Sequence, residues 1–401
     1  MSEKPTQHRT TVGIVGGGPA GLMLAHLLEL ARIETVVVEL RTRREIEETH
    51  RAGILEQDSV AMLVDAGVSA RVIEDGYRHE GIELGFGGDL HRIDLHGLTG
   101  AAVQLYPQTD VFIDLADARE RDGGDVRFGV SDVAVHDLTS AAPRITFTDA
   151  DDQPHELRCD VVVGADGSRS MCRREVPEAA RRQFAREYPF AWFGILCEAP
   201  PSAPELIYNH SERGFALISQ RTDSLQRMYF QCDPSEDPDD WSDDRIWEEL
   251  EARVGANGAS LKQGPITSRT VLPFRSFVQE PMRHGRLLLA GDAAHTVPPT
   301  GAKGLNLALA DVRVLAEVLE QALGRRSGGL DVDALGAYTE RALSRVWKAQ
   351  HFSYWMTTML HRLPETSDFD LRRQIGELSA VVASEAGSTY LAEGYTGWPK
   401  G

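Results

Sequence analysis

The sequence predicts an α/β protein in three parts: an α/β unit at residues 1–180, a mixed β-sheet unit at 181–281, and a last part at 282–401 with C-terminal helices. The first unit is predicted by a short apolar run at residues 12–15, which leads directly into a glycine-rich motif and a helical pattern. Short alternating stretches at 214–219 and 227–231 predict the sheet. An amphipathic stretch at 305–323 predicts the first helix of the last part.

Length and charge exclude several classes of protein. The 401 residues are 42% hydrophobic, which suffices for a sizeable core. Lys and Arg number 42 against 61 Asp and Glu, and the resulting net charge of −19 excludes a nucleic-acid partner bound through bulk charge. The 4 cysteines form no CxxC pair and the 13 histidines no HExxH motif, so we expect no disulfide framework, no metal site and a cytoplasmic location.

Two further stretches have simple interpretations. Residues 12–28 carry no charged side chain, but they are glycine-rich and shorter than the roughly 20 residues of a membrane-spanning helix, so no membrane segment is expected. Residues 233–244 are acidic and contain two prolines, which predicts an exposed loop before a helix.

The glycine-rich motif is GxGxxG, with its glycines at Gly16, Gly18 and Gly21. In a Rossmann-like unit, these glycines allow a tight turn, close approach of a pyrophosphate, and packing of the helix on the strand. A second apolar run at 35–38 ends at Glu39, where an acid would hold a ribose hydroxyl. The order of these features predicts a dinucleotide site, but by itself it fits FAD and NAD equally.

Two later segments extend this site. A predicted buried strand at 159–163 precedes Asp166 and Gly167, and these two residues alone fit an ordinary strand-ending turn equally well. A predicted strand at 286–290 precedes Gly291-Asp292 and then the sequence from Pro298 to Asn306, PPTGAKGLN. No turn or helix start requires this particular sequence for structural reasons alone. An aspartate after a strand can accept hydrogen bonds from a polyol, and a helix start offers free amides to an anionic group.

With these motifs the chain resembles the single-component (class A) FAD-dependent aromatic hydroxylases, over about residues 12–399. The resemblance also includes RAGILEQ at 51–57, HEG at 79–81, LIY at 206–208, RGFAL at 213–217 and SQR at 219–221. It implies an enzyme that uses FAD, O2 and NADH or NADPH to hydroxylate an aromatic acid, namely 4-hydroxybenzoate at C3. It also implies an interrupted FAD-binding domain and, because such relatives are often dimers, a homodimer.

The resemblance implies a set of residues around the cofactors. For FAD these are Gly16, Gly18, Gly21, Glu39, Arg51, Gln108, Asp166, Asp292, Gly304, Leu305 and Asn306. Arg51 would pair with the pyrophosphate, as a guanidinium does well. For NAD(P)H the implied residues are Arg173 and Arg275, near the protein surface. In the segment after Glu39, Glu45 would repel the 2′-phosphate of NADPH whereas Arg43 and Arg44 would attract it, which favours NADH or use of both coenzymes.

On the substrate side, an anionic benzoate in a protein of this charge needs a buried cation with polar neighbours. The resemblance assigns this carboxylate site to Ser219, Arg221 and Tyr229, with Thr300 and the catalytic Pro299 beside the ring. A phenol has a pKa near 10, so its activation as a phenolate needs a route for the proton. The resemblance assigns that route to Tyr208, Tyr395 and His79.

Two alternatives remain open from the sequence. Met228 stands where relatives have a tyrosine, so a ring-substituted substrate such as 3-amino-4-hydroxybenzoate would be accommodated near it. A protein of another class, a non-catalytic binding protein with an FAD-type fold, would share the glycine-rich motif.

Overall fold

The computed structural model describes residues 4–49, 53–324 and 329–398. Its strands, in chain order, are β1 (Thr6–Arg9), β2 (Val12–Val15), β3 (Thr35–Glu39), β4 (Ile54–Leu55), β5 (Tyr77–His79), β6 (Ile82–Phe86), β7 (Asp89–Ile93), β8 (Val103–Leu105), β9 (Asp125–Phe128), β10 (Ser131–His136), β11 (Arg144–Thr148), β12 (Pro154–Arg158), β13 (Val161–Gly164), β14 (Arg182–Cys197), β15 (Leu206–Asn209), β16 (Ala216–Thr222), β17 (Leu225–Cys232), β18 (Ile266–Glu280), β19 (Arg283–His284), β20 (Leu287–Leu289) and β21 (His295–Thr296).

The helices are α1 (Pro19–Leu30), α2 (Arg43–Glu47), α3 (Gln57–Asp65), α4 (Arg71–Glu74), α5 (Leu95–Thr99), α6 (Gln108–Arg121), α7 (Asp243–Val254), α8 (Gly304–Ala322), α9 (Ala337–Leu360), α10 (Asp368–Val382) and α11 (Glu385–Thr396). The predicted strands at 12–15, 35–38 and 286–290 and the predicted helix at 305–323 are confirmed to within one or two residues. The acidic stretch at 233–244 leads into α7, which Ser242 caps by accepting a hydrogen bond from the Arg245 N–H.

The first unit contains a six-stranded sheet in the order β19-β20-β13-β2-β3-β9, parallel except for the β19–β20 pair. The middle strands β2 and β13 are buried along their whole length, as their unbroken apolar sequences require. Helices α1 and α8 pack against each other on this sheet and share its hydrophobic core. The carboxyl ends of β2, β3, β13 and β20 therefore meet at one edge, where parallel α/β sheets bind ligands.

The second large sheet has eight strands in the order β21-β18-β14-β17-β16-β15-β6-β7. Its pairs are antiparallel except for β15 with β6. Strands β14 to β18 come from the predicted middle unit, whereas β6, β7 and β21 come from the flanking parts of the chain. The predicted mixed α/β fold is confirmed, and the sheet extends beyond the segment 181–281 on both sides.

The eight-stranded sheet has two differently covered faces. One face packs against α7 through a core that includes Phe193, Met228 and Trp247. The other face packs against the end of α9 and against α10 and α11, through a core that includes Tyr208, Tyr229 and Tyr395. Because successive residues of a strand point to opposite faces, the sequence of each strand decides which side chains enter which core.

Within the described ranges, no helix combines the length and the apolar character needed to cross a membrane. The uncharged stretch at residues 12–28 instead forms β2, the glycine-rich turn and most of α1. Smaller sheets, β1-β12-β11-β10 and β4-β8-β5, complete the fold.

Candidate active site

The glycine-rich turn has the geometry of a phosphate-binding loop. Gly16 has φ +109°, and a Cβ there would lie 2.2 Å from the Ala165 carbonyl oxygen, so only glycine fits. A Cβ on Gly21 would lie 1.9 Å from the Gly16 carbonyl oxygen, which is the close contact of helix and turn. A Cβ on Gly18 would instead meet nothing within 4 Å. Gly18 is the N-cap residue of α1, and no side chain caps this helix, so the open space lies at the helix N-terminus.

Glu39 lies at the end of β3 and is buried. Its Oε2 accepts a hydrogen bond of 2.7 Å from the Gly17 N–H, and its Oε1 accepts one of 3.0 Å from the Arg41 N–H. The acid is therefore fixed beside the turn, where its remaining lone pairs can accept from a ribose hydroxyl.

The start of α8 provides a second open helix end. A Cβ on Gly304 would meet nothing within 4 Å, and Ala302 before it has φ +53°. Leu305 is half-buried beside it. Asn306 has a structural role: its amide donates to the carbonyl oxygens of Ile54 and Ala302, and its oxygen accepts from the Glu56 N–H, each at 2.8 Å.

Asp166 makes the contacts of a strand-ending turn. Its carboxylate accepts hydrogen bonds from the Ser170 hydroxyl at 2.5 Å and from the N–H groups of Met171 at 2.7 Å and Cys172 at 3.0 Å. These contacts match the turn alternative, so a contact of Asp166 with the cofactor rests on the resemblance alone.

Asp292 lies in a short 3-10 turn directly after β20 and is half-buried. Buried Asp311 of α8 shapes this turn, because its Oδ2 accepts from the Gly291 N–H at 2.9 Å and lies 2.6 Å from the His295 Nε2. Burial acts to lower the pKa of His295, but the Asp311 carboxylate outweighs it and the pKa is raised.

Arg173 and Arg275 lie side by side and donate hydrogen bonds to the same carbonyl oxygen. The guanidinium of Arg173 donates to the carbonyl oxygens of Ser168 and Ala293 at 2.7 and 2.9 Å, and Arg275 donates to the same Ser168 oxygen at 3.1 Å. Both lie over the ring of Phe277, at 4.6 and 5.8 Å from its centre. Burial, then repulsion by Arg275, lowers the pKa of Arg173. Two cations in contact with one ring form a patch suited to an anion.

Two predicted FAD residues receive less support. Gln108 is the first residue of α6 and is half-buried, and a Cβ on Gly53 would lie 2.7 Å from its backbone nitrogen. The segment that follows Arg51 therefore passes against Gln108. Arg51 itself lies outside the described residues.

The substrate-side residues share one face of the eight-stranded sheet. Tyr208 of β15 is paired with Leu217 of β16, and Leu217 is paired with Tyr229 of β17, so the two tyrosines lie in one cross-strand row. Ser219 follows Leu217 at period two and continues the same face. Arg221 lies in the register shift between residues 220 and 222, and its charge interacts with Arg227 and Tyr229 of β17. The predicted set is thus brought together by strand register.

Arg221 is a half-buried cation in this face. Burial, and then the like charge of Arg227, lowers its pKa, while Tyr229 and Asp110 act in the opposite direction. Ser219 donates a hydrogen bond of 2.7 Å to the Arg227 carbonyl oxygen. Because a guanidinium stays protonated in proteins, Arg221 is a desolvated positive charge that a carboxylate can pair with.

The two tyrosines of the predicted proton route are in contact. The hydroxyl oxygens of Tyr208 and Tyr395 lie 2.7 Å apart, and both residues are buried. Burial raises the pKa of each phenol, so both remain protonated and can pass a proton along their hydrogen bond. His79 is also buried, and within the described ranges neither of its ring nitrogens has a hydrogen-bond partner.

The bend before α8 is held by α9. Pro299 opens a short 3-10 turn, and the buried Thr300 accepts a 3.0 Å hydrogen bond from the Thr357 hydroxyl. Next to it, the Trp192 indole donates to His361 Nε2 at 2.7 Å, so the other ring nitrogen, Nδ1, donates to the Thr357 carbonyl oxygen at 2.9 Å. Trp192 and Thr300 are thereby joined through one turn of helix.

The position of Met228 corrects one expectation. Met228 is fully buried and packs in the core shared with α7, on the face opposite Tyr208 and Tyr229. Its side chain points away from the predicted substrate residues because neighbouring residues of a strand alternate between faces. The expectation that Met228 makes room for an extra ring substituent was wrong.

The sequence reasoning also missed a buried ionic network. The Lys303 ammonium donates to Glu56 Oε1 at 2.6 Å and to the Tyr395 carbonyl oxygen at 3.0 Å, and Arg345 donates to Glu56 Oε2 at 2.6 Å. Burial lowers the pKa of Lys303, and Glu56 opposes this shift. Glu56 and Lys303 both stand inside motifs that carried the resemblance, but their separation of 247 positions gave no signal that they pair.

Known proteins resemble this chain over nearly its whole length. The model of the FAD binding domain family matches residues 9–353. The p-hydroxybenzoate hydroxylase of Acinetobacter baylyi is 45% identical over 394 residues, which cover 98% of this chain and 96% of the relative. The chain belongs to the FAD-dependent aromatic hydroxylases. It is therefore a flavoprotein enzyme that uses NAD(P)H as co-substrate and acts on a small aromatic molecule, and the non-catalytic alternative is excluded.

Solved structures support the fold of this hydroxylase. The p-nitrophenol 4-monooxygenase PnpA of Pseudomonas putida superposes with a TM-score of 0.82 at 19% identity, over 98% of this chain and 100% of the other. Aklavinone-11 hydroxylase, solved with FAD and aklavinone, gives a TM-score of 0.70 at 21% identity, over 90% of this chain and 70% of the other.

The residues present fit FAD. The space at Gly18 and Gly304 lies at two uncapped helix starts, and Glu39 is fixed beside the first of them. An anionic pyrophosphate and a flavin with partial negative charge suit such ends. We therefore assign the pyrophosphate to the Gly16–Gly21 turn region and the ribityl and flavin groups to the neighbourhood of Asp292 and Gly304 as a proposal from this geometry.

Proposed function

We propose that this hydroxylase converts 4-hydroxybenzoate to 3,4-dihydroxybenzoate, with NAD(P)H and O2 as co-substrates. The observation that carries the proposal is that Arg221 and Tyr208 lie on neighbouring strands, β16 and β15, and that Tyr208 is hydrogen-bonded to Tyr395 of α11, which packs on this face of the sheet. A para-hydroxy acid needs a cation for its carboxylate and a proton acceptor for its phenol, and this face offers both.

Each residue has a defined task in this proposal. Arg221 binds the carboxylate, with Ser219 and Tyr229 as polar neighbours, and so fixes the ring in one orientation. Tyr208 accepts the phenolic proton while its own proton moves to Tyr395, because their oxygens are already 2.7 Å apart. Tyr395 in turn gives up its hydroxyl proton toward His79, so each tyrosine ends as it began. The resulting phenolate is electron-rich ortho to its oxygen, where an electrophilic oxygen atom is transferred.

FAD, when bound, would supply the redox chemistry, namely acceptance of a hydride from NAD(P)H and activation of O2. The chain's own contribution at that point is the exclusion of water. Tyr208, Tyr229, Tyr395 and Thr300 are all buried. A dry site protects reactive intermediates from hydrolysis and strengthens the attraction between Arg221 and a bound carboxylate.

We further propose that NADH is the preferred coenzyme. Arg43 is paired with Glu47, Asp117 and Glu120, and Arg44 is paired with Glu48. Glu45 accepts hydrogen bonds from Thr42 in a capping box at the start of α2. Cations that are already matched by carboxylates attract a 2′-phosphate weakly, which favours the coenzyme without one. Arg173 and Arg275 would contact either coenzyme through its pyrophosphate.

The test is oxidation of NADH and of NADPH by the FAD-loaded protein across a panel of hydroxybenzoates and aminobenzoates, with products identified by mass spectrometry. We expect 3,4-dihydroxybenzoate from 4-hydroxybenzoate and a higher kcat/KM for NADH. Faster turnover of 3-amino-4-hydroxybenzoate, or coenzyme oxidation without a hydroxylated product, would refute the substrate assignment. A homodimer in the cytoplasm remains part of the proposal, and light scattering tests the dimer.

A further inference from the structure

A surface groove of about 590 Å³ lies outside the turn between β5 and β6. Its lining carries charged side chains of both signs: Arg78, Glu80, Glu83, Arg92 and Glu205, together with Pro204. Two of these residues, Arg78 and Glu80, flank His79 in the sequence. The groove is wide enough for water and for small buffer ions.

His79 lies behind this groove with unsatisfied polar atoms. The residue is 3% exposed, and in the described part of the chain neither Nδ1 nor Nε2 has a hydrogen-bond partner. A buried polar atom without a partner is costly, so the ring of His79 favours a small polar species, such as a water molecule, beside it. Burial lowers the pKa of His79, and the charge that opposes this shift is Glu205.

Glu205 is held in place at the inner side of the groove. Arg92 donates to both of its carboxylate oxygens, from Nε at 2.7 Å and from a terminal nitrogen at 2.9 Å. The Glu205 side chain is 14% exposed. A Cβ on Gly81 would lie 2.6 Å from Glu205 Oε2, so the absence of a side chain two residues after His79 lets this carboxylate rest on the backbone.

Glu83 places a second carboxylate beside the first. It lies on β6 directly across from Arg92 of β7. Burial, and then the like charge of Glu205, raises the pKa of Glu83, while Arg92 and His91 oppose the shift. Glu83, with a second carboxylate beside it, can therefore hold a proton closer to neutral pH than an isolated glutamate can.

The remaining charges around the groove are at its rim. Arg78 pairs with Glu80 and approaches His96, and Arg92 also pairs with Asp94. These side chains are about half exposed, so solvent screens them. They shift the potential in the groove little compared with Glu83 and Glu205.

We propose that Glu83 and Glu205 form the exit through which the proton of the substrate phenol passes from His79 to solvent. This inference rests on the proposed function and extends the route beyond His79. The phenol O–H breaks to leave a phenolate, and Tyr208, Tyr395 and His79 carry the proton outward. The His79 imidazolium then loses an N–H proton, a carboxyl O–H forms on the neighbouring pair Glu205 and Glu83, and water or a buffer base in the groove takes that proton. Glu83 and Glu205 act at a distance from substrate, so both are positioning residues for proton transfer.

The experiment follows proton release when 4-hydroxybenzoate binds to the FAD-loaded protein, by stopped flow with a pH indicator dye and with phenolate absorbance. We expect Glu205→Gln and Glu83→Gln to slow release at least about tenfold, since a carrier is lost from the route. Added imidazole should restore the rate by collecting the proton in the groove. Glu80→Gln is the matched control, because Glu80 lines the same groove and is paired only at the rim.

Parent-like release rates in both variants, or slowing that imidazole does not relieve, would overturn the proposal. If Glu205→Gln fails to fold, Glu83→Gln decides, because it leaves the Arg92–Glu205 pair intact. A failure of the proposed function would give a different result, because the parent protein itself would form neither phenolate nor 3,4-dihydroxybenzoate. That result would also refute the proposed proton exit.

Discussion

Arg221 is the residue on which substrate affinity should depend most. It is a desolvated cation whose nearest cationic neighbour, Arg227, makes an anionic ligand still more favourable. Removing one partner from a buried ion pair costs about 3–5 kcal/mol, so Arg221→Ala should raise the Kd for 4-hydroxybenzoate by about 100-fold or more. Equilibrium titration of the FAD-loaded protein measures this change.

The control for this prediction is Arg213→Ala, because Arg213 is an exposed arginine paired with Glu249 just before the same strand, β16. It should leave the Kd close to that of the parent. A Kd for Arg221→Ala within about threefold of the parent value would show that another group binds the carboxylate.

At the scale of elements, the start of α1 separates the roles of two glycines. Gly18 has ordinary φ −72° and open space, so Gly18→Ala should leave the apoprotein as stable as the parent. Its methyl group would occupy the space that we assign to the pyrophosphate, so the Kd for FAD should rise by about tenfold or more. Gly16→Ala should instead destabilise the fold, because its Cβ would strike the Ala165 carbonyl.

Thermal unfolding of the apoprotein and titration with FAD measure these two effects separately. Gly255→Ala is the matched control, since Gly255 also has open space and φ −62° but lies after α7. An unchanged FAD affinity in Gly18→Ala would contradict the assignment of the pyrophosphate to this turn.

The junction of α9 with the eight-stranded sheet should be sensitive to acid. Burial lowers the pKa of His361 to about 3, while the ordinary value is 6.5. Between these values the unfolded chain binds more protons than the folded one, so stability falls as pH decreases through this window. The contribution of neutral His361 is therefore complete above about pH 6.5.

His361→Leu tests this junction. It leaves the Trp192 indole without its acceptor, which should cost about 1–3 kcal/mol at pH 7. The difference in unfolding free energy between parent and variant should shrink as pH falls from 7 to 4, as measured by urea unfolding. His351→Leu, an exposed histidine of the same helix, is the control. A difference that grows on acidification would mean that His361 is charged in the folded state.

At the scale of the whole molecule, the Lys303–Glu56–Arg345 network joins the segment before α3, the start of α8 and helix α9. Lys303 and Glu56 are 1% and 2% exposed, so each charge depends on the other. A double-mutant cycle with Lys303→Met and Glu56→Gln should give a coupling energy of about 1–3 kcal/mol. Chemical unfolding of the four FAD-loaded proteins measures it.

The exposed pair Arg44–Glu48 at α2 provides the comparison, because solvent screens it. Its coupling energy should be below about 0.5 kcal/mol. Equal coupling in the two cycles would show that the buried network does not hold the three segments together.

The sequence by itself determined the local structure and the chemical class of the protein. The strand before GxGxxG, the helix at 304–322 and the strands of the middle unit follow from apolar periodicity and from glycine geometry, which act over a few residues. The order of the motifs along the chain indicated the family of FAD-dependent aromatic hydroxylases, which the comparisons confirm.

Only the tertiary structure decided which distant side chains meet and which face of a strand each one takes. Strand register placed Tyr208 in one row with Tyr229 and turned Met228 to the other core, and helix packing brought Lys303 to Glu56. Such contacts join positions up to 247 residues apart, and their burial and charge follow from packing in three dimensions, which no local pattern in a single sequence encodes.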